Sequence, residues 1–158
     1  MAVQLTREEI ERRLAAAGWE PGRDMGSEAD ELVSAAAASM AESGYEVEPF
    51  PAAVDFIHEF SFLRVPFPGF DPEQDYVTFT IRYVDEGFAE SISELADWLE
   101  CPLFPVAFVN NDRAMALVDP RGRFFLSHWS GDYYLGEERY EVLSCLFTGR
   151  HRELEEAL

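Results

Sequence analysis

The 158 residues are 47% apolar and 14% aromatic, enough for one domain with a core of its own, and this excludes an intrinsically disordered chain. Twelve arginines, no lysine and 31 acids leave a net charge of −19. Such a field repels nucleic acid and anionic membrane and draws in basic proteins, although it also serves plain solubility.

The charge is uneven: residues 24–100 hold 18 acids against Arg64 and Arg82, which is −16 of the total. Cys101 and Cys145 lie far apart and form no Cys-x-x-Cys, so they read as free thiols and not as a disulfide framework or zinc ribbon. Met1 to Thr6 offers neither a basic n-region nor an apolar h-region, and no apolar run is long enough for a membrane span. The expectation is a soluble, cytoplasmic protein.

Thr6-Arg7-Glu8-Glu9 is a capping box, with Leu5 and Ile10 at staple spacing and Ile10 and Leu14 marking one face of a first helix. Gly18 ends that helix and Pro21 prevents its resumption. Ser27 opens a second helix, whose alanine run continues to about Glu42 before Gly44 closes it. Pro51 takes the first position of a third, with Val54, Ile57 and Phe60 recurring at spacing three. A short strand follows from Leu63 to Phe67. Tyr76 to Arg82 alternates as a strand, with Val77, Phe79 and Ile81 inward. Ser91-Ile92-Ser93-Glu94 is a second capping box, opening a helix that stops at Cys101-Pro102.

Phe104 to Val109 is the next strand, with Pro105 inside it. Ala114 to Val118 and Arg123 to His128 form a hairpin around Asp119-Pro120-Arg121-Gly122, which has proline and glycine where a type I turn places them. Ser130-Gly131 is another turn. Gly136 to Phe147 reads as a closing helix with Tyr140, Leu143, Leu146 and Phe147 inward, and Arg150 to Leu158 as a frayed, charged end. The order is helices, then a mainly antiparallel sheet of about five or six strands interrupted by an inserted helix, then a C-terminal helix. That is an α+β pattern, and it predicts one domain over residues 1–158.

No catalyst assembles from these residues. His128 stands near Ser127, Ser130 and Asp132, but Ser127 and His128 point to opposite faces of a regular strand. His58 beside Glu59 reads as a solvated or helix-end histidine, and His151 is crowded by Arg150 and Arg152. Asp71, Glu73 and Asp75 alternate as in a calcium loop, but without its glycine and closing glutamate. No metal-ligand spacing and no phosphate loop occur, so neither metal nor cofactor is expected. Two groups are candidates for a partner surface. Asp71, Glu73, Asp75, Asp85 and Glu86 flank the alternating strand on loops; a solvated acidic loop is the alternative account. Trp129, Asp132, Tyr133 and Tyr134 surround a turn: such aromatics anchor protein interfaces as well as cores, and Asp132 suits an arginine from a partner.

Several stretches carry a resemblance. Ala17-Gly18-Trp19-Glu20-Pro21-Gly22-Arg23 comes first, then the helix Phe50 to Phe60. Leu103-Phe104-Pro105-Val106, the turn Asp119-Pro120-Arg121-Gly122-Arg123 and the helix around Gly136 to Gly149 follow. In order and spacing the chain resembles the third SUKH family of bacterial immunity proteins from end to end. Trp19, Pro21, Gly22, Arg23, Pro105, Asp119 and Gly122 are its structural landmarks here. One departure is Phe60-Ser61-Phe62-Leu63, where the family often carries Phe-Gly-Gly. The resemblance implies an α+β protein that binds and neutralises a cognate toxin without catalysis. The toxin would be a basic domain, often a nuclease or deaminase, and neither nucleic acid nor membrane would be a partner. A regulatory protein-binding scaffold of the same superfamily and a small hydrolase using His128 are the alternatives.

Overall fold

The computed structural model describes residues 4–149 and 152–154. Three helices come first: α1 (Arg7–Ala16), α2 (Gly26–Glu42) and α3 (Pro51–Phe60). Strands β1 (Arg64–Pro66) and β2 (Tyr76–Thr78) lead to the inserted helix α4 (Glu86–Leu99). Strands β3 (Phe104–Val109), β4 (Ala114–Val118), β5 (Phe124–His128) and β6 (Gly131–Gly136) precede α5 (Arg139–Thr148) and the two-residue β7 (Arg152–Glu153). The sheet is an antiparallel meander in sequence order, with β7 extending it beside β6.

Thr6 caps α1 as expected, accepting from the Glu9 N–H at 3.2 Å. The Glu9 carboxylate accepts the Thr6 hydroxyl and does not reach back to the Thr6 backbone. Pro51 stands at the first turn of α3, where its missing N–H has no helical partner to lose. The inserted helix begins earlier than Ser91. Asp85 caps it, accepting the Phe88 N–H at 2.8 Å, and its backbone carbonyl accepts the Ala89 N–H at 2.9 Å. Ser91 is therefore interior to α4.

Both faces of the sheet are covered, so β4 is buried at all five positions. On one face α3 and α5 pack an aromatic cluster: Phe56 lies 4.7 Å from Phe60, 6.0 Å from Phe79 and 5.2 Å from Phe124, and Phe79 meets Phe147 edge-on at 6.4 Å. On the other face Phe88 of α4 meets Phe108 edge-on at 5.8 Å. The pairings Phe108↔Met115, Met115↔Ser127 and Ser127↔Asp132 align those four side chains across the α4 face. Pro105 sits at the β3–β4 irregularity, beyond the stretch of β3 that pairs with β2, so the sheet tolerates its missing N–H.

Two hydroxyls tie the early helices to extended chain. Ser39 of α2 donates to the Val84 carbonyl at 3.0 Å and accepts the Val84 N–H at 2.9 Å. Tyr45 does the same for Leu103, at 3.0 and 2.8 Å. Each replaces a missing strand partner with one side-chain atom.

Three further expectations are corrected. The alternating strand stops at Thr78: the Phe79 N–H still reaches the Leu63 carbonyl at 3.0 Å, but the Thr80 N–H turns to the Thr78 hydroxyl at 3.3 Å. Residues 131–136 are strand β6, and the closing helix starts at Arg139 behind a Glu138 cap. Of the expected frayed end, residues 152–153 pair with β6 and Leu154 is buried, while 150–151 and 155–158, His151 included, lie outside the described residues.

Candidate partner-binding surface

The landmark residues Trp19 to Arg23 form a helix stop held to α3. Gly18 takes φ +114, which an L side chain rarely adopts, and the next residue, Trp19, returns its N–H to the Leu14 carbonyl at 2.9 Å. The Arg23 N–H then bonds the Glu20 carbonyl at 3.2 Å, with Pro21 second in the turn and Gly22 third at φ +81, as a type II turn requires. This turn delivers two side chains to Glu59. Trp19 is buried and its Nε1 donates to Oε2 at 3.0 Å; the Arg23 guanidinium donates to the Glu59 carbonyl at 2.5 Å. Arg139 of α5 grips the same carboxylate with two bonds, at 2.8 and 2.5 Å, and lies over the Phe60 ring. Burial holds the Arg23 guanidinium below its ordinary value.

Beside this hub, His58 bridges Asp24 and Asp30, Nδ1 at 2.6 Å and Nε2 at 2.7 Å. Both ring nitrogens face carboxylate oxygens, so both must donate and the ring is an imidazolium. The bonds to Asp24 and then Asp30 raise the His58 pKa. That of Asp24 is lowered, first by the Gly26 N–H and then by His58. Several groups lining this cleft of about 680 Å³ pair with one another, Arg7 and Tyr140 with Glu11, His58 with Asp24 and Arg139 with Glu59, whereas Arg139 Nε is buried without a partner.

Asp119 is a second buried anchor. One oxygen accepts the N–H groups of Arg121 and Arg123 at 3.0 and 2.9 Å, and the other accepts Arg123 Nε at 2.6 Å. Gly122, at φ +85, closes the turn by donating to the Asp119 carbonyl. The Cys101 thiol lies 3.7 Å from the same carboxylate; burial, followed by that charge, raises its pKa, so it is a poor nucleophile.

The surface candidates fall at one end of the sheet and along α4. Asp71, Glu73 and Asp75 occupy the β1–β2 loop. There Asp75 accepts the Asp71 N–H at 3.2 Å and Asp71 accepts the Glu73 N–H at 3.0 Å, so two of the three carboxylates also hold the loop. That loop meets the β3–β4 turn through Asn110 Nδ2 and the Gln74 carbonyl, 2.9 Å apart. Asp85, the α4 cap, borders a cleft of about 430 Å³ with Phe88, Arg113, His128 and Trp129. Trp129 is 87% exposed, and Tyr83, which sequence reasoning passed over, is 72% exposed. Glu86 is exposed in the first turn of α4.

His128 accepts the Ser130 N–H at 3.2 Å on Nδ1, and the Ser130 hydroxyl lies 2.7 Å away, itself 2.8 Å from the Tyr133 hydroxyl. Ser127 is buried and bonds the Asp132 carboxylate, whose pKa is raised by its burial and by Glu94. The histidine and the aspartate thus have different serine partners. Tyr134 is buried with its ring 5.6 Å from Phe125. Trp98 was also missed. It shares one flank of α4 with Ser91 and Glu94 at helical spacing, a signal readable only once the helix phase is known. Among the described residues, no three His, Cys, Asp or Glu side chains are grouped to hold a metal ion. None of the helices searched among them is long and apolar enough to cross a membrane.

A helix-covered antiparallel meander, knitted together on its α3 side and rimmed by acids and exposed aromatics near α4, defines an α+β domain that presents a surface. The chain belongs to the SUKH-3 immunity protein family, whose family model matches residues 6–149. No curated protein and no solved structure matches it.

Proposed function

We propose that this protein is a non-enzymatic immunity protein, one domain over its whole length, that binds and neutralises a cognate toxin in the bacterial cytoplasm. The toxin is a basic domain, a nuclease or another domain that acts on nucleic acid. The observation that carries this reading, beyond the family itself, is the convergence of charge and exposed rings: Asp71, Glu73, Asp75, Asp85 and Glu86 share the sheet end with Trp129, and Asp132 and Tyr133 follow along α4. A nucleic-acid-acting enzyme holds phosphates with cationic side chains, so an acidic surface complements the same face that its substrate needs. Exposed Trp and Tyr supply the rigid apolar anchors that charge alone does not.

Co-expression with the toxin domain encoded beside it tests this. Survival of the cells and co-purification of the pair are expected, and His128→Ala retains both. Cell death despite soluble immunity protein, or turnover by the purified protein that His128→Ala abolishes, overturns it.

A further inference from the structure

The flank of α4 facing β6 forms a cleft of about 450 Å³, lined by Glu94, Trp98, Ser130, Asp132, Tyr133 and Glu153 among others. Trp98 is 60% exposed there, an indole left in water on the outer side of an amphipathic helix. Glu94 lies one turn earlier on the same flank. Asp132 faces it from β6, half-buried, and its carboxylate takes a hydroxyl bond from Ser127. Among the residues whose side chains are described, a set that leaves out the neighbouring Arg152, three carboxylates and no cationic group line this cleft. On the α3 side, by contrast, Glu59 is already gripped by Arg139.

Resting on the toxin-binding reading above, we propose that this cleft receives an arginine side chain of the partner protein. The occupant must be cationic, because Glu94 and Asp132 oppose each other until a positive charge separates them. A flat occupant suits the cleft best, because the exposed Trp98 indole forms one wall. A guanidinium stacks on the indole while its edge donates to two carboxylates; an ammonium is a compact point charge that satisfies the acids and leaves the ring uncovered. Binding also removes the disadvantage of charge on Asp132, whose titration moves down when the cleft is filled.

The probes are acetyl-Gly-Arg-Gly-amide, its lysine counterpart and its citrulline counterpart, the last a neutral isostere. They are titrated into isotope-labelled protein while the Trp98 indole N–H resonance is followed, assigned by Trp98→Phe. The arginine peptide should shift that resonance saturably, with lysine and citrulline weaker by about tenfold or more. Glu94→Gln with Asp132→Asn should abolish the shift, while Glu73→Gln with Glu86→Gln retains it. An unmoved indole, or an equal response to citrulline, overturns the proposal. Both ideas then separate. If toxin capture survives Trp98→Ala with Glu94→Arg, the cleft is not the partner's arginine site and immunity stands. If the arginine peptide binds but no toxin is neutralised, the cleft stands and the toxin reading falls.

Discussion

At Trp19 the indole is buried and its polar atom is used by Glu59, so truncation removes packing and one hydrogen bond together. Trp19→Ala should lower unfolding free energy by roughly 3–5 kcal/mol, measured by urea denaturation; an unchanged midpoint contradicts the hub. His58 gives a pH signature. Its pKa is raised by Asp24 and Asp30, so its contribution is fully present below its unfolded value of about 6.5 and is lost as pH rises through the folded value. Asp24 works in the opposite direction: its lowered pKa adds stability above the usual carboxylate range, lost in acid. The charged groups facing His58 are these two aspartates, with Arg23, Asp55 and Glu59 around the same cleft. The stability difference between wild type and His58→Gln should shrink from pH 6 toward alkaline pH; a constant difference rules out the imidazolium bridge. The helix stop at Trp19 was legible because glycine, proline and glycine act locally. Its partner Glu59 was not, since 40 residues separate the two and no local rule links them.

The α3–β1 connection shows what local chemistry costs an element. Ser61 is buried with no partner for its hydroxyl, and Phe62 adopts φ +68, where an L side chain is strained and glycine is not. These positions follow Phe60, where the family resemblance leads one to expect two glycines. The Phe62 N–H is meanwhile held by the Thr80 hydroxyl at 3.1 Å, which fixes the turn despite the side chain. Phe62→Gly should be more stable than Phe62→Ala by about 1 kcal/mol, because both variants lose the same ring, 37% exposed in the wild type, and only glycine is relaxed at this φ. Ser61→Ala should add a similar amount by removing an unsatisfied buried group, about 1 kcal/mol. Thermal melts test this: Phe62→Gly melting no higher than Phe62→Ala, or Ser61→Ala melting below the wild type, refutes the account at that position. Most elements were readable from periodicity and caps. Strand β6 was hidden because Tyr133, Tyr134 and Leu135 stand between glycines and polar residues, too short a run to separate from a turn. The start of α4 was misplaced because two capping sequences compete, and Asp85 begins the longer helix.

Across the whole molecule, the acids of the candidate face divide into those that hold structure and those that only supply field. Asp85 caps α4, so Asp85→Ala should cost about 1 kcal/mol in stability. Glu73 and Glu86 are exposed, so reversing both to lysine should change stability by less than about 1 kcal/mol. The same double reversal should slow association with the cognate toxin, more at low salt than at high, because screening acts beyond about 8 Å at physiological ionic strength. Stopped-flow rates at two salt concentrations decide it; equal rates at low salt move the interface away from this end. The overall class was legible from the order of helices and strands. The gathering of distant loops at one sheet end was not, since it depends on which strand ends the meander aligns.

That meander also sets an order in time. Each strand pairs with the one made just before it, so the sheet can grow as the chain leaves the ribosome, and its local pairings favour quick closure. Synthesis at about 5–20 residues per second spreads the chain over roughly 8–30 s. The acidic loop, α4 and the β5–β6 turn are all complete by residue 136, whereas α1 waits for α5 to supply its packing partner, the Ser144 hydroxyl that accepts the Leu5 N–H at 2.9 Å among its contacts. The face offered to a partner is therefore made before the body behind it can close.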